Sequence, residues 1–433
     1  MPDVLKPDFQ IYDDGSKIQD DMKSAVISIV VDERLDQAAV CTIELSDREG
    51  RLSDGKHFKL CSDLKVELGY VGTGTKTVFE GEVTGWKGAF PRRGPGTLTV
   101  IALDRFHRFR RERKQRTFKQ MKDSEIVQQV AGDHGCSADT QATKVKHDYM
   151  VQFNQSDADF LLERASVNGH ELWVDGKKLV FRQPKLDQGP ATRIKWHENM
   201  KRFAPTLSLV HAHPSVKTTS WDMLQKKMVL SHAKKGDEVS LMGATRTGVD
   251  LGSKGEFHGH RPLLSPDEMD VLAKAELNRG AMSLIAGEGD AKGNNLIRRG
   301  SIVEVDGIGE FLSGSYYVVT AVHSLIPGSA YSTTFRVRRT AVQKPPTPPP
   351  ATAPKQAAQT TPAEPKPEKV EFVVKNQFGE PLDGLEYVLT CPDGEKKTGT
   401  VPASGVISET KSKPGTYTLA IKGIEPPTLK FEN

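Results

Sequence analysis

Closely spaced cysteines are missing from this chain. Its four, Cys41, Cys61, Cys136 and Cys391, stand far apart, so they form neither a recognisable zinc site nor a disulfide framework, and a reducing assembly compartment is expected. Long hydrophobic runs are missing too. No stretch approaches the ~20 apolar residues that span a bilayer, and the N-terminal MPDVLKPDFQ has no apolar centre, so synthesis and assembly in the bacterial cytoplasm are expected. Aromatics make up 7% and hydrophobic residues 36%, which suits β-rich, surface-heavy domains with an unstructured segment. A net charge of +4 gives no domain-wide basic field, so nucleic acid is not expected as a specific partner. Catalytic signatures are absent as well: G-x-S-x-G, HExxH and CxxC do not occur. We therefore expect no enzyme and assign no catalytic, cofactor-binding or metal residues, and no cofactor.

What is present is punctuation. The segment from Gln152 to Pro184 opens with Asn154-Gln155-Ser156-Asp157, where Ser156 or Asp157 can cap a helix. Phe160, Leu161, Leu162 and Ala165 give that helix an apolar face, and Asn168-Gly169 ends it. Two alternating runs, Glu171 to Val174 and Lys178 to Arg182, follow around an Asp175-Gly176 hairpin signal. Upstream, Ala25–Val31, Ala38–Leu45, Leu64–Tyr70, Thr77–Val83 and Thr97–Leu103 read as short strands between Gly- and Pro-rich turns, the pattern of an antiparallel barrel or sandwich. Lys122 to Gly135 reads as a helix, capped by Asp123 or Ser124 and closed by Gly132 or Gly135.

Downstream, strands are expected at Leu207–His213, Ser215–Trp221 and Lys227–His232. Pro266 to Gly280 is a clear helix, with Ser265 as cap and Met269, Leu272, Ala273, Ala275 and Leu277 on its buried side. Residues 343–368 are a proline-rich, semi-rigid linker, and 369–433 form a small separate β module.

Two clusters invite functional readings. Arg105 to Arg116 (RFHRFRRERKQR) is either a polyanion patch or a connector whose arginine stems cover apolar surface while their heads reach acids; the small net charge favours the connector. The pairs His211/His213 and His258/His260 match no fixed ligand pattern: no acid sits in register with either, and the second pair lies in a Gly-rich stretch read as a loop. They are read as structural.

The string Q-x-N-x-S-D-x-D-F-L-x-x-R at Gln152–Arg164 resembles a segment of the phage late control protein D and VgrG baseplate hub group. So do FEGEVTGWKGAF followed by GTLTVIALDRFHRF, the helix core Ala273–Leu277, and a closing pattern in which Tyr317, Val319, Val322, His323, Tyr331, Thr333 and Phe335 occupy the family's hairpin places. The resemblance covers residues 1 to about 342. It implies a mainly β fold with an α+β insertion: a first tube-type β-barrel domain over 1–106, an α+β domain over 107–187 and a second barrel over 188–342. Beyond the 343–368 linker, 369–433 resembles a transthyretin-like or Ig-like β-sandwich module. The implied function is a structural hub of a contractile phage tail or tail-like injection system. In that role a homotrimer forms a pseudo-sixfold ring between the hexameric tail-tube ring and a trimeric central spike, alongside neighbouring baseplate or tape-measure proteins. Unlike VgrG, the chain carries no glycine-rich spike helix, so the spike would be a separate polypeptide. The competing expectations are a tail-associated cell-wall hydrolase and an effector-carrying or surface-binding adaptor acting through the C-terminal module.

Overall fold

Alternation of apolar and polar residues is the local rule that builds most of this protein. A computed structural model describes residues 6–54, 57–222, 225–239, 242–260, 265–343, 369–375, 381–410 and 417–422. The chain divides into two units, 1–347 and 348–433.

The first unit begins with strands β1 (Pro7–Asp13) and β2 (Ser16–Lys17) and the short helix α1 (Asp20–Ala25). Strands β3 (Val26–Arg34), β4 (Val40–Asp47), β5 (Asp63–Tyr70), β6 (Gly74–Ala89) and β7 (Gly96–Leu103) follow. Then come β8 (Arg113–Lys122), α2 (Asp123–Asp133), β9 (Ser137–Thr140), β10 (Lys146–Ser156), α3 (Asp157–Asn168), β11 (Glu171–Asp175) and β12 (Lys178–Arg182). The last stretch holds β13 (Thr192–Lys195), β14 (Met200–Leu207), β15 (Ser215–Asp222), β16 (Lys227–Lys234), β17 (Glu256–His260) and α4 (Pro266–Ala281). It closes with β18 (Ile285–Lys292), β19 (Ile302–Asp306), β20 (Gly314–Ile326) and β21 (Ala330–Arg339).

In β4 every second residue is buried, so Cys41, Ile43 and Leu45 point inward with Val31, Val66 and Val100 from neighbouring strands. Each such side chain contributes about 1.5–3 kcal/mol of apolar burial. The decisive pairing is between β3 and β20, running from Thr320 opposite Arg34 to Leu325 opposite Ile29. It fuses the early and late strands into one sheet of order β14-β18-β21-β20-β3-β4-β7-β6-β5-β1-β2, with β19 also paired to β20 and β13 to β19. Leu325 and Tyr331 thus belong to the core of the first strands, while Tyr316, Val318, Phe335 and Val337 fill a second core with Ile285, Val303 and Val305. Gly293 fits flat beneath Tyr331; a Cβ there would lie 2.1 Å from the ring, which only glycine avoids.

Between these strands sits an α+β block. Sheet β11-β12-β9 and ribbon β8–β10 pack with α2 and α3 around Phe118, Ile126, Val130, Phe160, Leu161, Leu172, Val174 and Phe181. Helix α3 begins at Ser156, whose Oγ accepts from the Asp159 amide at 3.1 Å, and ends at Gly169 with φ +63°. The hairpin after it turns on Gly176 (φ +58°) and Lys177, one residue later than the Asp175-Gly176 expectation. Helix α2 is capped in neither expected way: Lys122 is the cap residue and its amide donates to Glu125 Oε2 at 2.7 Å. Helix α4 carries the full reciprocal cap of Ser265 with Glu268 and lies on sheet β16-β15-β17 through Val216, Ala233, Ala273 and Leu277.

Two expectations need correction. Leu207–His213 is not a strand: β14 ends at Leu207, and 208–213 turn, with the Ala212 amide donating to the Leu209 carbonyl. The FHGHRP segment is not a loop up to His260, because β17 pairs in parallel with β15 through it. The arginine-rich connector is regular: Arg105–Arg110 is a 3₁₀ helix and β8 starts at Arg113.

The second unit holds β22 (Lys369–Val373), β23 (Glu386–Thr390), β24 (Lys396–Thr400), β25 (Val406–Thr410) and β26 (Thr418–Ile421). They form sheets β22–β25 and β24-β23-β26 around Val374, Val401 and Ile407. The Asp393-Gly394 turn closes the β23–β24 hairpin, with Gly394 at φ +85°. Of the linker expected over 343–368, all but Gln343 lies outside the described residues.

Candidate functional site: the ion-paired seams

The cores within the first unit are apolar, but the seams between its parts are held by buried charge. At the junction of β3 with the loop before β19, Arg298 Nε and Nη2 donate to both oxygens of Glu33 at 2.5 and 2.6 Å, and Nη1 donates to the Thr77 carbonyl. Glu33 is 1% exposed. Burial pushes its carboxyl upward, but the charge and hydrogen bonds of Arg298, with Arg299 behind it, prevail and hold it below the usual carboxylate range. Arg299 extends the seam. It donates to Asp104 at 3.0 Å, to the Arg34 and Gln37 carbonyls, and to the Val174 carbonyl, so one guanidinium ties three segments together.

A second seam joins the α+β block to α4. Arg164 on α3 donates to both Asp123 oxygens at 2.7 and 3.0 Å and reaches Glu268 at 3.2 Å. His147 lies 3.1 Å from Asp123, and the Asn168 amide donates to the same carboxylate. Burial works against ionisation of Asp123, yet its bonds to His147 and Arg164 carry it well below the ordinary aspartate value. Around Asp157, burial is likewise outweighed by bonds from His134, Lys114 and Gln152 and by Arg116. Glu171 behaves oppositely. Buried, with the Tyr317 hydroxyl donating to it at 2.5 Å, its carboxyl is pushed up to about 8 by burial.

The arginine cluster accordingly reaches acids: Arg105 pairs with Asp63 at 2.5 Å, Arg108 with Glu82, Arg110 with Asp159 at 3.1 Å, and Arg116 with Asp133 and Asp157. The two histidine pairs lie on neighbouring segments, and one of them has an acid, Glu256, in register with it, contrary to expectation. His211 and His213 lie in the turn after β14, with the His213 ring 5.5 Å from Phe257, whereas His258 sits on β17 with Nε2 3.4 Å from Glu256. Among the described residues no group of three or more His, Cys, Asp or Glu is arranged to hold a metal ion, and all four cysteines are free thiols. Sequence reasoning missed Glu33, Asp104, Asp123, Arg164, Glu268, Arg298 and Arg299. The consecutive arginines before Gly300 were a visible signal, but nothing local ties them to a glutamate 265 residues away.

A protein-family model, the Alg8 N-terminal domain, matches residues 5–326. The chain belongs to that family. No curated protein matches it. Among solved structures, it is similar to the prophage MuSo2 43 kDa tail protein from Shewanella oneidensis, with a TM-score of 0.59 at 12% identity over 77% of this chain and 99% of that one. A tail protein from Neisseria meningitidis MC58 gives 0.55 at 12% identity over 77% and 96%. The E. coli c3393 protein, a type VI secretion component described as similar to T4 tail proteins gp27 and gp5, gives 0.50 at 12% identity over 74% and 76%. The expected resemblance is borne out in the fold, which is the mainly β fold of phage tail and type VI secretion proteins. No helix among the described residues is long and apolar enough to cross a membrane.

Proposed function

We propose that this protein is the structural baseplate hub of a contractile phage tail or tail-like injection particle. In this reading three copies form a ring of six β units, which receives the hexameric tail-tube ring on one side and the trimeric central spike on the other. The observation that carries it is the β3–β20 pairing, which makes two β regions of one chain a single continuous sheet. One chain so built offers two tube-type units, and three chains offer the six that a hexameric ring requires.

The organisation we propose is a first tube unit over 1–106, an α+β block over 107–187, a second tube unit over 188–342, a linker over 343–368 and a peripheral β module over 369–433. The seams support it, because bidentate arginine–carboxylate pairs fix orientation as well as distance, and a ring element has to be rigid. The role is one of interface burial, not catalysis, and a permanent ring interface is expected to cover more than ~2,000 Å². Assembly would take place in the cytoplasm, with the particle's baseplate as the final location.

Light scattering of the full chain across a concentration series tests this. The expected result is a mass three times the 47.6 kDa chain, reached alone or on addition of the cognate spike protein. A monomer at every concentration, with the spike present as well, overturns it.

A further inference from the structure

A cleft in the described part of the first unit opens beside the two seams, sharing Arg34, Gln37 and Asn168 with them. It has a volume of about 440 Å³ and lies where the turn after β3, the end of α3, one face of α4 and the middle of the β20–β21 hairpin converge. That size falls in the range of about 300–1,000 Å³ common to small-ligand sites. Its walls are of two kinds. Leu35, Val271, Ala275, Met282 and Val319 line it with apolar surface. Arg34, Lys274, Arg279 and Arg338 bring four cations against two carboxylates, Asp36 and Glu171.

The cations are not equivalent. Arg34 is answered by Asp32 at 2.7 Å, Arg279 by Glu276 at 2.5 Å, and Lys274 by Asp270 and Asp237 at 3.5 and 3.7 Å. Arg338 reaches the cleft from β21 with no carboxylate within 4 Å among the described residues, and its charge acts at longer range on Asp36 and Glu171. Burial pushes the Glu171 carboxyl up to about 8, which weakens its hold on Arg338. A guanidinium with no carboxylate in direct contact, beside an apolar wall, is suited to a planar anion carried on an apolar body, because its paired N–H groups match the two oxygens of a carboxylate.

We propose that this cleft is a binding site for an apolar carboxylate, with Arg338 holding the carboxylate and the Leu35–Val271–Ala275–Met282–Val319 wall receiving the aliphatic part. Two sources share that chemistry: the C-terminal residue of a polypeptide and a free aliphatic acid. Binding to the full chain is measured by calorimetry with octanoate, octanamide, and a tetrapeptide ending in leucine as free acid and as amide. The acids are expected to bind at least about tenfold tighter than their amides, a preference that Arg338→Gln abolishes. Because Arg338 is solvent-exposed, this variant is expected to melt with the native protein; Ala275→Phe, which fills the cleft, is expected to remove binding of both acids. Tighter binding of the peptide acid identifies a polypeptide end as the source, and tighter binding of octanoate a free acid. Equal affinity for acid and amide, binding unchanged in Arg338→Gln, or no binding of any probe overturns the site.

Discussion

The first β core and the seam at Glu33 hold the same region together by opposite means. Inside the core, Ile29, Val31, Ile43 and Val100 are completely buried and make no demand on partners beyond shape. At the seam, Glu33 and Arg299 are buried as well, but each is tolerable only because the other charges are present. Apolar cores forgive loss in proportion to volume, whereas a buried ion pair that loses one member leaves a charge with nothing to answer it.

Breaking the seam should therefore have the largest effect. Arg298→Ala is expected to cost about 3–5 kcal/mol in urea denaturation, because Glu33 is left buried without its bidentate partner. The double variant Glu33→Leu/Arg298→Met should recover most of it. If the double variant is as unstable as the single one, the charges are not what makes the seam costly to break.

The next effect is a pH slope. Glu171 has a folded value raised to about 8, well above its unfolded value, so the folded protein holds a proton the unfolded chain has released. Between the unfolded value and about 8, this group makes stability fall as pH rises. Glu171→Gln is expected to remove that component, leaving the variant more stable than the native protein at pH 8 by on the order of a few kcal/mol and closer to it at pH 5. Parallel denaturation curves at the two pH values check it. Smallest is Ile43→Val, expected to cost about 0.5–1.5 kcal/mol with no change in pH dependence.

Legibility in the sequence followed the same division. Helices α3 and α4 were readable to within a residue because Ser156, Gly169 and Ser265 act on neighbours three or four positions away. Strand β4 was readable because its period is strict. Strand β8 was not, since RKQRTFKQMK is charged on both faces and Phe118 alone is buried. Strand β17 hid behind glycine and histidine, its pairing with β15 being supplied by a segment about forty residues away. The seams were the least visible, because a carboxylate on β3 and an arginine beyond residue 290 share no local pattern, and the cleft draws its walls from seven separate stretches.

The strand shared between the two cores also sets a timetable for synthesis. As the chain leaves the ribosome, β3 has β4 beside it, but its other edge and the places of Leu325 and Tyr331 stay open until some three hundred further residues have been made. At about 5–20 residues per second that is tens of seconds during which a sheet edge rich in Ile and Val faces other nascent chains. The last hairpin of the first unit is thus the step that closes its earliest part, and a ribosome that stalls before it releases a sheet still seeking a neighbour.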